Sequence, residues 1–238
     1  MDHPRRSKPG AVFGRRQGHK LSPRQGALID TLLPRLALDL AAPPDLPGLF
    51  APPAAGVRLE IGFGGGEHLV AQAERHPRTG FIGVEPFVNG MAKALSAIDA
   101  RRLGNVRLHF GDAVDVLAWL PAASLERVDL LYPDPWPKRR HWKRRFVQDA
   151  SLAEIARVLR PGGELRFATD IPDYAAWTLE RGLRSRDLTW TAERADDWRL
   201  PWPGFTATRY EAKAKHAGRG PCYLIFRNDA GRAERGST

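Results

Sequence analysis

The chain has 238 residues, 42% of them hydrophobic, which is the size and content of one α/β domain with short extensions. Lys and Arg number 37 against 27 Asp and Glu, a formal net charge of +10 that favours a polyanionic partner, either nucleic acid or an anionic membrane surface. The single cysteine, Cys222, excludes an internal disulfide and a multi-cysteine metal site and points to a reducing cytoplasm, and no apolar stretch approaches the ~20 residues that span a bilayer.

Residues 1–20 are Arg, Lys, Gly and Pro with few apolar anchors and read as a basic flexible arm; residues 1–6 lack the apolar segment of a signal peptide. Residues 21–56 form an N-terminal helix and its connection. Ser22 is placed as N-cap with Pro23 at the first helical position, and Leu28, Ile29, Leu32 and Leu33 follow at helical spacing until Pro34 ends or bends the helix. A Pro/Ala-rich loop then runs over 41–56.

From residue 57 the texture changes to short apolar runs alternating with amphipathic stretches of helix length. Strands are expected at 57–61, 80–84, 106–110, 128–132, 164–168 and 223–227, with helices at 66–76, 87–103, 113–120, 143–159 and 172–184. Such alternation predicts a mostly parallel sheet covered by helices on both faces. Residues 57–228 make the main domain, and 229–238 a disordered tail. Ligands of such sheets bind at the carboxyl ends of the strands, so the residues just after each strand carry the functional expectation.

The first strand runs into Glu60-Ile61-Gly62-Phe63-Gly64-Gly65-Gly66. Glycines there let a ligand approach the backbone, and the spacing is neither that of a P-loop nor that of a dinucleotide fingerprint. The second strand ends in Glu85, placed to accept from both ribose hydroxyls of a nucleoside. After the third comes Asp112, positioned to accept from an adenine amino group, to cap the next helix, or both. A glycine loop and two acids at three successive strand ends describe an adenosine site, an arrangement that resembles the class I S-adenosylmethionine methyltransferases.

The fourth strand ends in Tyr132-Pro133-Asp134-Pro135-Trp136-Pro137-Lys138, where prolines fix the backbone on both sides of Asp134. Arg139, Arg140, His141, Trp142, Lys143, Arg144 and Arg145 follow: cations for phosphates and an aromatic for bases. This block resembles the signature of the bacterial tRNA (guanine-N7-)-methyltransferases. Gly14-Arg15-Arg16, Leu21–Gln25, the glycine loop, Ala168-Thr169-Asp170 and Thr208-Arg209-Tyr210-Glu211 resemble other segments of that family, so the likeness runs over about 13–227. Gly65-Gly66-Glu67 departs from it, since Met-Gly and a small polar residue are expected there.

The resemblance implies a Rossmann-like class I methyltransferase fold with a late antiparallel strand. It implies S-adenosyl-L-methionine as methyl donor and tRNA as substrate, with guanine 46 of the variable loop as target. Glu60, Gly62, Glu85, Asp112 and Asp134 are then the cofactor site, with Asp134 the residue essential to transfer. Lys138, Asp170, Thr208, Arg209, Tyr210 and Glu211 are the substrate contacts, and either Asp170 or Glu211 reads the guanine edge. Arg140 to Arg145 and the arm hold the RNA backbone. His68, His76 and His109 lack ligand spacing, so no metal is expected; monomer and homodimer are equally compatible. Three rival readings fit the residues less well. An amine-methylating relative would carry Asn/Asp-Pro-Pro-aromatic at the fourth strand end, an RNA-binding protein without activity would have lost cofactor acids, and a nicotinamide oxidoreductase would need different glycine spacing.

Overall fold

Residues 18–229 are described by a computed structural model; the arm up to residue 17, Gly14-Arg15-Arg16 within it, and the tail from 230 lie outside the described residues. Ser22 caps α1 (Pro23–Thr31) through a capping box, its hydroxyl accepting from the Gln25 N–H at 3.3 Å while Gln25 Oε1 accepts from the Ser22 N–H at 3.1 Å. The helix breaks at Leu32, and Pro34 sits in the first turn of the short α2 (Leu33–Leu36). This segment is part of the main body. Leu28, Ile29, Leu32 and Leu33 pack on the core formed with Leu69, Met91 and Leu95, and Ala37 forms a parallel bridge to Leu108.

The remaining elements are β1 (Gly56–Ile61), α3 (Glu67–Arg75), β2 (Thr79–Val84), α4 (Val88–Arg101), β3 (Val106–His109), α5 (Ala113–Trp119), β4 (Leu125–Leu131), α6 (Asp149–Val158), β5 (Leu159–Thr169), α7 (Pro172–Arg184), β6 (Leu188–Trp190), α8 (Asp196–Arg199), α9 (Arg209–His216) and β7 (Cys222–Asn228). The seven strands stand in the order β3-β2-β1-β4-β5-β7-β6. All pairs from β3 to β5 are parallel, and β7 runs antiparallel to both β5 and β6. One hydrophobic cluster joins the sheet to α5 and α6 through Val116, Leu117, Leu152 and Ile155; a second joins it to α3 and α4 through Leu69, Met91 and Leu95. Burial on both faces explains the near-continuous apolar strands. The strand order reverses between β1 and β4, which opens a crevice at their carboxyl ends.

One expected element needs correction. The helix expected at 143–159 is interrupted: a 3₁₀ turn covers Arg139–Arg144, Arg145 is extended (φ −58°, ψ 137°), and α6 starts at Asp149. The break arises because Arg145 and Val147 are drawn into the core, 0% and 1% exposed. Three elements, β6, the four-residue α8 and α9, have no counterpart among the expected ones. The three-residue β6 is too short for an alternating pattern, and the α9 sequence buries only Glu211 and Ala214, so it has no apolar stripe.

Candidate active site

The backbone after β1 takes left-handed φ at Gly62 (69°), Gly64 (58°) and Gly66 (79°). A Cβ on Gly62 would meet nothing within 4 Å, so this glycine presents bare backbone to the open crevice. The loop is pinned from behind. Gly64 N–H donates to Glu85 Oε2 at 2.6 Å and Phe87 N–H to Glu85 Oε1 at 2.9 Å. Glu85 is 6% exposed; burial, with a smaller push from the nearby Asp134 carboxylate, raises its pKa to about 7 against the pull of these two N–H groups and of Arg209.

Gly90, in the first turn of α4, is the other glycine the loop requires. A Cβ there would stand 2.3 Å from the Gly64 carbonyl oxygen. Gly90→Ala is expected to push the loop off its seat and to weaken nucleoside binding about tenfold or more, since overpacking costs about 1–3 kcal/mol. Calorimetric titration of the variant with S-adenosylmethionine checks this, with circular dichroism as a fold control; unchanged affinity would show that the loop seat does not matter.

Glu60 lies beneath the loop, 4% exposed, with an oxygen 2.8 Å from His68 Nδ1. Burial raises the Glu60 pKa. Burial acts to lower that of His68, but the adjacent Glu60 carboxylate outweighs it and leaves His68 raised. A second buried group lies close by: Arg127 Nε donates to Asp129 at 2.9 Å and Arg127 Nη2 to Gln72 at 3.1 Å. Gln72 and Arg75 both donate to the Gly204 carbonyl at 2.9 Å, tying α3 to the turn that carries Trp202 and Phe205. Glu60 thus supports the loop from below. From the sequence His68 has only its lack of ligand spacing to mark it, which leaves it structural or solvated, and nothing singles out Arg127, Asp129 or Gln72; their signal is polar residues on strands and helices otherwise buried. Asp112 caps α5, accepting from the Val114 N–H at 3.0 Å, and keeps its place after β3.

Beyond β4 the chain enters left-handed conformations at two residues that are not glycine, Tyr132 (φ 51°) and Trp136 (φ 44°). Such strain, about 1–3 kcal/mol at each residue, persists where surrounding structure over-determines the backbone. Asp134 stands between them, open to solvent, and partial desolvation of its carboxyl raises its pKa. Lys138, Arg139, Arg140 and Lys143 are exposed on the 3₁₀ turn. His141 meets Trp136 edge-on at 5.8 Å, Arg144 lies 5.0 Å over the Trp136 ring, and Arg139 lies 5.5 Å over Trp142. Arg145 is the exception: fully buried, it is out of reach of an RNA backbone.

On the far side, Asp170 follows β5 and accepts from Arg219 Nε at 2.7 Å. Thr208 caps α9 by accepting from the Glu211 N–H at 3.2 Å. Arg209 and Tyr210 reach back to the glycine loop: a Cβ on Gly64 would be 3.1 Å from the Tyr210 ring, and Arg209 Nε lies 4.0 Å from Glu67. Glu211 is 1% exposed. Its Oε1 accepts from Tyr223 Oη at 2.9 Å and from Lys215 Nζ at 2.5 Å, while Oε2 has no hydrogen-bond partner among the described residues. Burial raises the pKa of Tyr132 and Tyr223, both beside Glu211. The site therefore joins the glycine loop, Glu85, Asp134 and the head of α9, with Glu60 below and Arg145 withdrawn. Among the described residues, no group of three or more His, Cys, Asp or Glu could hold a metal ion, and no helix is long and apolar enough to cross a membrane.

A glycine loop after β1, an acid after β2 and the reversed β7 together define a class I methyltransferase fold. TrmN from Thermus thermophilus shares it, with a TM-score of 0.53 at 14% identity over 74% of this chain and 44% of that one. A family profile described as "Putative methyltransferase" matches residues 54–224. A protein of Nitrobacter hamburgensis named tRNA (guanine-N(7)-)-methyltransferase is 62% identical over 96% of this chain and 90% of its own length. One of Rhodopseudomonas palustris with the same name is 64% identical over 92% and 88%. The chain belongs to the tRNA (guanine-N(7)-)-methyltransferase family.

Proposed function

We propose that this protein transfers a methyl group from S-adenosylmethionine to N7 of a guanine in tRNA, at position 46 of the variable loop, in the cytoplasm. The observation that carries the reading is Asp134, held between two left-handed residues beside the glycine loop and Glu85. The cofactor fits the residues present. An ionised carboxylate offers about four acceptor positions; backbone N–H groups take two at Glu85, which leaves two for a vicinal diol. The bare face of Gly62 leaves room for close approach of a ligand to the backbone. When bound, S-adenosylmethionine supplies the methyl group as a sulfonium electrophile.

Guanine N7 carries an in-plane lone pair, so this chain needs no strong general base. Its task is to align the base and exclude water. Asp134 offsets the positive charge that the purine gains. The exposed Lys138, Arg139, Arg140 and Lys143, with Arg144, hold RNA phosphates, and Trp136 offers a stacking face. Of the two acids that could accept from guanine N1–H and its amino group, the partly exposed Asp170 is the better placed, since Glu211 is 1% exposed and could be reached only if the head of α9 moved. Each pairs with a cation of its own chain, Arg219 or Lys215, that substrate binding would displace.

The test is transfer from radiolabelled S-adenosylmethionine into unmodified tRNA transcripts, with the nucleosides separated. Label is expected in 7-methylguanosine and is expected to vanish from a transcript with guanine 46 changed to adenine. Label in another nucleoside would overturn the substrate assignment.

A further inference from the structure

We infer that Arg145 is a positioning residue that sets the Asp134 loop against the β5–α7 junction carrying Asp170. The inference rests on the methyl-transfer reading above. The segment from Tyr132 to Lys138 contains Pro133, Pro135 and Pro137, none of which has an N–H to donate, so the loop cannot be tied down by a ladder of its own. An outside donor holds it: Arg145 Nε donates to the Pro135 carbonyl at 2.8 Å, one residue from Asp134. The other end of the same guanidinium pairs with Asp173 in the first turn of α7, three residues after Asp170. One planar group therefore spans the two loops that bear Asp134 and Asp170.

Its surroundings fit a fixed spacer. The Arg145 side chain is 0% exposed, and its guanidinium carbon lies 4.8 Å from the Trp142 ring centre, 4.8 Å from Tyr174 and 5.0 Å from Trp177. Trp177 in turn donates to the Val147 carbonyl at 2.7 Å, which locks the segment that follows Arg145 onto α7. Burying a cation is costly, and Nη1 has no hydrogen-bond partner among the described residues. A hydrophobic side chain could fill this volume at lower cost but could not donate to the Pro135 carbonyl. Lysine would keep the charge and lose the fork that reaches both partners.

The experiment compares Arg145→Lys and Asp173→Ala with wild type. It measures kcat and KM for methyl transfer to tRNA transcripts, tRNA affinity across a salt series, and thermal melting. Arg145→Lys is expected to lower kcat at saturating tRNA about tenfold or more, and Asp173→Ala about threefold to tenfold. The KM and Kd for tRNA and the salt slope are expected to stay at wild-type values. A phosphate contact would show the opposite pattern, with weaker tRNA binding, a salt slope smaller by about one and kcat retained; that result overturns the inference. So does a lowered melting temperature with unchanged kcat, which would mark Arg145 as structural only. If Arg145→Lys does not fold, Asp173→Ala decides, because Asp173 is itself 55% exposed and its truncation opens no cavity, and the melting curve reads the cost of leaving Arg145 without its carboxylate. Wild-type transfer to tRNA is scored separately and tests the reading on which the inference rests.

Discussion

Asp134→Ala is expected to lower kcat at saturating tRNA and cofactor by about a hundredfold to a thousandfold, the range seen when one preorganised electrostatic partner is removed from a reacting centre. The residue sits between strained Tyr132 and Trp136, so its backbone is held in place and its side chain does not have to find its position during the reaction. Asp134→Asn separates charge from shape: it keeps the volume and part of the hydrogen bonding, so a loss close to that of alanine identifies the charge as the active quantity. The raised pKa adds a pH signature. Only the carboxylate offsets charge on the purine, so kcat is expected to fall as the pH drops toward the Asp134 pKa, and the Asn variant should lack that limb. An Asn variant with wild-type kcat would remove Asp134 from the transfer step.

Glu85 carries the second large expectation. Its carboxyl titrates at about 7 in the free protein, yet two ribose hydroxyls donate best to the ionised form. Cofactor binding therefore draws Glu85 toward ionisation and releases a proton below pH 7. Affinity for S-adenosylmethionine is expected to fall about tenfold from pH 8 to pH 6 and to level off above pH 8. Calorimetry in two buffers of different ionisation enthalpy reads the released proton directly. Glu85→Gln should abolish the release and weaken binding by about 2 kcal/mol, roughly thirtyfold. The same shift acts on folding with a definite sign. Because the folded pKa lies above the ordinary value of 4.5, stability linked to Glu85 is full below about 4.5 and is lost as pH rises to about 7. A pH-independent cofactor affinity would show that Glu85 is not the ribose acceptor.

The parts of this site that were legible in the sequence are those whose signal is local. The glycine loop, Glu85 and Asp112 each directly follow an apolar run, and the Pro-Asp-Pro block needs no tertiary information to stand out. Ser22 and Pro23 started α1 as their residue types required. Arg145 was read with its exposed neighbours because six basic or potentially basic residues lie side by side in 139–145. What distinguishes it is the pairing with Asp173, 28 residues away in sequence, and the ring contact with Tyr174 and Trp177 of α7. Glu60 was legible as part of the site but not as a support, since its partner His68 lies across the glycine loop, at the second residue of α3. The α9 helix had a usable signal in the Thr208-x-x-Glu211 spacing of a capping box, which was read as a substrate motif instead.

The antiparallel β7 has a consequence for how this protein could be altered. Trp190 pairs with Phe226, and the Thr191 N–H donates to the Ile225 carbonyl at 3.0 Å, so the chain leaves the sheet beside β7 and re-enters it at Cys222, on the strand it left. Everything between, residues 191–221, is one excursion that includes Trp202, Phe205 and α9. A loop with neighbouring ends adds little closure entropy when its length changes. Length is therefore tolerated in the stretches that pack on nothing, while Trp202, the Gly204 carbonyl and Glu211 anchor the excursion to the sheet and to α3, so new recognition surface can be added between the anchors but not in place of them.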